Sequence, residues 1–186
     1  MRISNWLYRA VNGWIALIAV MIFIAFTAVV LPQQAQKADS FSSDVASPDT
    51  SLIYSPQQLY RIAEAYGEQG RQAYIQQRFT FDVVWPLVYT FFLVTAITWL
   101  YARGFPEHSG WRRANMVPLL ALLLDYLENL STSLVMLRYP QLTPVIDWLA
   151  PIFTFFKWVL VVGSFLLLLV GILAYLRQLL VRRQPV

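Results

Sequence analysis

The chain has 186 residues, of which 58% are hydrophobic, and its mean hydropathy is +0.53, well above the range of an ordinary water-soluble domain. It has no cysteine, which excludes disulfides, thiolate metal sites, iron–sulfur clusters and cysteine nucleophiles, and its single histidine, His108, stands in a polar loop. The formal charge of +4 comes from basic residues scattered beside the apolar runs, a pattern that sets topology and offers no face to nucleic acid. No metal or other cofactor is expected.

Residues 11–31 form an uninterrupted apolar stretch behind Arg2 and Arg9, of the length that spans a bilayer. The run exceeds a secretory h-region, so a retained first helix is expected. From Pro32 to Tyr54 the composition turns to Gln, Ser, Asp, Ala and Pro, which reads as a flexible linker. Order returns at Ser55-Pro56-Gln57-Gln58, a capping residue with proline at the first helical position and glutamine three after the cap. Leu59, Ile62, Ala63 and Tyr66 then recur at helical spacing, predicting an amphipathic helix over 56–66. Gly67 and Gly70 interrupt it, and 71–78 resumes helical character. Residues 32–78 are therefore expected to form an outward loop and an amphipathic cap.

Residues 79–102 are the second predicted span, with Asp82, Pro86, Tyr89 and Leu93 on one face. The third, 116–137, carries Asp125, Glu128 and Asn129 near its middle. At 100° per residue, Ala121, Asp125, Glu128, Asn129 and Thr132 fall within an arc of about 80–100°, leaving leucines on most of the remaining surface. The fourth span, 148–173, places Thr154, Lys157, Val161 and Ser164 on one side. Trp14, Trp85, Trp99, Trp111, Trp148 and Trp158 stand mostly near span ends and are expected as interfacial anchors. The fold expected is all-α: one membrane domain, a four-helix transmembrane bundle with an extracytoplasmic amphipathic segment between its first two helices.

In four spans, Arg2, Arg9, Arg103, Arg112, Arg113, Arg177, Arg182 and Arg183 fall on one side, which should be the cytoplasm, with both termini there. Helix rise then gives depths: about 15 Å below the outer face for both Glu128 and Lys157, and about 20 Å for Asp125. Opposite charges at one depth, on helices joined by a short turn, predict a buried Glu128–Lys157 ion pair. Asp82 lies at the rim, with Tyr89, Asn129 and Thr132 below it. The deepest groups number two acids and one base, so one carboxyl must either keep a proton or be held by hydrogen bonds from Asn129 or Tyr89.

This polar seam suits a site for a lipid or other small amphiphile entering past Asp82, and it also suits an accessory membrane subunit whose charges fix helix register. An acid/base enzyme using Asp125 or Glu128 with Lys157 is a further expectation, although Ser131 and Ser133 have no base motif beside them. Proton-coupled transport is another, and four short spans would then need a homo-oligomer or a membrane-protein partner. The segments GRQAY at 70–74, FDVVWPLVY at 81–89, LLDYLEN at 123–129 and FTFFKW at 153–158 together resemble small bacterial four-span membrane proteins that lack an assigned activity. The resemblance covers 55–164 and implies a multi-pass protein of the bacterial inner (plasma) membrane. The four-span sterol-isomerase and sigma-receptor-like family also buries carboxylates in a membrane cavity, but its functional residues do not map one by one onto this chain.

Overall fold

The computed structural model describes residues 2–39, 47, 48 and 51–182. Its elements are the helices α1 (Arg2–Ala10), α2 (Gly13–Ala25), a π turn (Phe26–Val30), α3 (Leu31–Asp39), α4 (Pro56–Arg78), α5 (Phe81–Gly104), a 3₁₀ segment (Gly110–Met116), α6 (Val117–Arg138) and α7 (Ile146–Arg182). There is no strand among the described residues. Four helical stretches are long and apolar enough to cross a membrane: Gly13–Gln34, Pro56–Gly104, whose apolar part is α5, Gly110–Arg138 and Ile146–Val181.

Local chemistry explains most boundaries. Asn12, in an extended conformation, accepts the Ile15 N–H and starts α2 after a break behind α1. The Ser55 hydroxyl accepts the Gln58 N–H while the Gln58 side chain accepts the Ser55 N–H, the reciprocal pair expected for that motif. Within α4 only Gly67 leaves helical geometry, at φ 62°, ψ −177°, and Arg71 reaches across the break to donate to the Ala63 carbonyl at 3.0 Å. Gly70 does not interrupt the helix.

Two expected boundaries are corrected. Residues 32–39 are helical and continue the first span. The π turn ends at Val30, with only Leu31 between it and Pro32, and its wider pitch accommodates a residue with no N–H to return to the preceding turn. Of the rest of the expected linker, 40–46, 49 and 50 lie outside the described residues, and Tyr54 at its far end is buried against the bundle, 3.0 Å from the Thr154 hydroxyl. The fourth helix runs to Arg182, past the expected 173, because leucines and other good helix formers follow without a Pro stop.

Packing follows polarity turned inside out. Helix α7 packs on α5 and α6, α2 packs on α5, and α4 lies on α6 and touches α7. Outward faces of α2, α6 and α7 are apolar: Leu17, Met21, Leu123, Leu130, Phe156, Val162 and Leu166 are all exposed. Inside, α6 buries Asp125, Glu128, Asn129, Ser131, Thr132 and Ser133. Apolar surface facing out with polar groups facing in is stable only where the surroundings are hydrocarbon.

Candidate functional site

Two polar chains meet where α4, α5, α6 and α7 approach one another. Arg78, the last residue of α4, and Asp82, in the first turn of α5, are four positions apart across the turn at 79–80, and their side chains pair at 2.9 Å. A cation at a helix C-terminus and an anion at a helix N-terminus each complement the local dipole. The Arg78 guanidinium lies 4.4 Å over the Tyr74 ring and also donates to Asn129 Oδ1 at 3.4 Å. Asn129 in turn donates its amide to the Asp82 carbonyl and to Asp125 Oδ1, both at 3.3 Å. Tyr89 completes this chain by donating to Asp125 Oδ2 at 2.9 Å. Asp125 is thus held by both groups that its place in the seam suggests.

The second chain crosses from α6 to α7. Lys157 Nζ pairs with Glu128 Oε2, giving the ion pair that depth matching predicts. Thr154, one helical turn before Lys157, donates to Glu128 Oε1 at 2.8 Å, and its hydroxyl lies 3.0 Å from that of Tyr54. Glu128 is only 1% exposed, and its two oxygens face Lys157 and Thr154.

A cavity of about 430 Å³ adjoins both chains. Its lining is mixed: Arg78, Asp82, Tyr89, Asp125 and Lys157 are polar, and Phe23, Trp85, Val161 and Phe165 are apolar, with the Trp85 and Tyr89 rings 5.8 Å apart. Rings of Phe23 and Phe92 stack at 4.5 Å between centroids, and Phe165 lies 6.5 Å from each, so the lining residues Phe23 and Phe165 belong to one aromatic cluster. Leu31, Gln34 and Gln77 line the cavity as well. The space lies between the first span and α7, both of which rest on α5, and its size and mixed lining are those of a small-molecule pocket.

The residues singled out from sequence divide into three groups. Asp82, Tyr89, Asp125 and Lys157 line the cavity, whereas Glu128 and Asn129 stand behind it and fix the lining groups. Thr132, fully buried, returns its hydroxyl to the Glu128 carbonyl of its own helix and does not reach the cavity. Sequence reasoning missed Arg78, assigned to the surface cap, although its i,i+4 spacing to Asp82 was a usable signal. It also placed Trp85 and Trp158 as interfacial anchors, and both instead line the cavity; Trp14, Trp111 and Trp148 are exposed. No protein-family model, no curated protein and no solved structure matches the chain.

Proposed function

We propose that the protein is an integral membrane protein that binds a lipid or other small amphiphile in the cavity between its first and fourth spans. The observation that carries this reading is the mixed polar and apolar lining of the cavity. A head with hydrogen-bonding or charged groups meets Arg78, Asp82, Asp125 and Lys157, while the hydrocarbon part lies along Phe23, Trp85, Val161 and Phe165. The polar part of the lining is preorganised by Tyr89 and Asn129, so a ligand need not order these side chains on binding. In this reading the arginine-rich end faces the cytoplasm with both termini, as in a bacterial inner-membrane protein, and α4 caps the outer end.

The test is to purify the wild type and Val161→Trp from membranes in mild detergent and identify the lipids retained by each. Val161 borders the open space and belongs to neither polar chain, so the larger ring fills the cavity without altering its charges. The wild type is expected to retain a discrete species at about one per chain, and Val161→Trp to lose it while keeping its melting temperature. Equal retention by both proteins, or no discrete species on the wild type, overturns the reading.

A further inference from the structure

The arginines that look scattered in sequence converge at the opposite end of the molecule. Helix α1 turns away from α2 at residues 11–12 and docks on α5 and the 3₁₀ segment. Its Ser4 hydroxyl donates to Asn115 Oδ1 at 2.8 Å, and Asn115 donates to Thr98 at 3.2 Å. Tyr8 donates to the Arg112 carbonyl at 2.7 Å, and burial pushes its phenol well above the usual range, which keeps it a donor. Arg112 is itself fastened, donating to the Phe105 and Ala102 carbonyls with its guanidinium 5.0 Å over the Tyr8 ring.

This docking leaves a cleft of about 650 Å³ with Arg9, Arg112, Arg113 and His108 in its lining, and Glu107 as the one carboxylate there. Three guanidiniums against one carboxylate give the lining a formal charge of +2 with histidine neutral. On the flank of α1 turned away from Ser4 and Tyr8, Ile3 and Trp6 point outward, 57% and 63% exposed, on a face that no other described residue covers. A short helix with an apolar outer face and basic flanks, tied to the end of a spanning bundle, lies in the headgroup layer. Two independent features, the basic cleft and the apolar face, therefore meet at the membrane surface.

We propose that this cleft binds the phosphate-bearing headgroup of an anionic phospholipid, whose chains enter the bilayer at the depth that the exposed Ile3 and Trp6 of α1 mark. A soluble anion satisfies the charge but gains nothing from the apolar face, so the site belongs to the lipid. The cleft shares no lining residue with the cavity between the first and fourth spans, and the two sites stand or fall separately.

Delipidated protein in mild detergent is titrated with dioleoylphosphatidylglycerol or dioleoylphosphatidylcholine, and bound lipid is counted by native mass spectrometry. Arg9→Gln/Arg113→Gln removes two exposed charges and is compared with the wild type only after its melting temperature is shown to be unchanged, and Arg112, which holds the loop, is left intact. The wild type is expected to prefer the glycerol lipid, with the preference falling as salt rises. Removing both charges should weaken phosphatidylglycerol binding by about thirtyfold, from about one tenfold step and a half for two basic groups near the surface. Arg61→Gln, which removes an exposed charge on α4 away from the cleft, should leave that preference unchanged. Equal binding of the two lipids by the wild type overturns the proposal, as does an undiminished preference in the double variant or equally tight binding of inorganic phosphate alone.

Discussion

Replacing Lys157 by glutamine leaves the Glu128 carboxylate buried among α6 and α7 with only Thr154 to answer it. Breaking a buried pair from one side costs about 3–5 kcal/mol, because the remaining charge stays desolvated. Glu128→Gln should cost less, on the order of 1–2 kcal/mol, since glutamine keeps the Thr154 bond and Lys157 borders a cavity that water can enter. The double variant should be more stable than Lys157→Gln, and melting temperatures of all four proteins in one detergent give the coupling; additive losses would show that the two groups act independently. Arg78→Met should lower the melting temperature by more than Arg71→Met, because Arg78 is 4% exposed and supports both Asp82 and Asn129. Much of this site was legible in the sequence. Depth alone matched Glu128 to Lys157, and the seam pointed Tyr89 and Asn129 at Asp125. Arg78 ends a helix in which Arg61, Glu64 and Glu68 are exposed, so its charge gave no sign of burial, and the Tyr54–Thr154 contact joins residues 100 positions apart, which no local pattern encodes.

Helix α7 contains its own controls. A Cβ added at Gly171 would lie 2.7 Å from Tyr101 Cε2 and 3.2 Å from Leu100 Cβ, whereas one at Gly163 would meet nothing within 4 Å. Gly171 and Gly104, whose added Cβ would lie 2.9 Å from that of Ala174, mark where α5 and α7 approach most closely, as small residues permit between spanning helices. Gly171→Ala should therefore destabilise by about 1–3 kcal/mol through overpacking, while Gly163→Ala should be neutral or slightly stabilising through helix propensity. Gly67 in α4 is a different case. Space is open around it, but φ +62° with ψ near 180° is a conformation nearly restricted to glycine, so Gly67→Ala should cost about 1–3 kcal/mol through backbone strain alone. Equal melting temperatures for Gly171→Ala and Gly163→Ala would contradict the close approach, and a silent Gly67→Ala would contradict the break. The Gly67 interruption was legible because glycine follows an amphipathic run directly. The α5–α7 crossing was not, since a glycine in an apolar helix signals close packing without saying which helix approaches.

At the scale of the whole chain, the existence of four helices long and apolar enough to cross a membrane was legible because length and apolarity are summed over about twenty residues, a signal that single polar positions barely disturb. Their ends were less legible, as helix α7 shows: its 37 residues measure about 55 Å, far longer than a hydrocarbon layer of about 30 Å, so hydropathy could not mark where the helix leaves the bilayer. Sidedness rests on a different signal, the arginines at 2, 9, 103, 112, 113, 177, 182 and 183, and it yields a sharp expectation. With no native cysteine, any single introduced cysteine is a unique probe. Glu64 is exposed on α4 and His108 is exposed in the loop between α5 and the 3₁₀ segment, at opposite ends of the molecule. In intact bacterial cells, Glu64→Cys should react with a membrane-impermeant maleimide, and His108→Cys should react only after permeabilisation. The reverse pattern would place α4 in the cytoplasm, so that the cavity's capped end and the ring of arginines exchange sides. Labelling of both from outside would show that Glu64 and His108 share a face, which an odd number of spans between them forbids. The α5 segment alone separates the two positions, so this one comparison tests whether α5 crosses the membrane and in which direction.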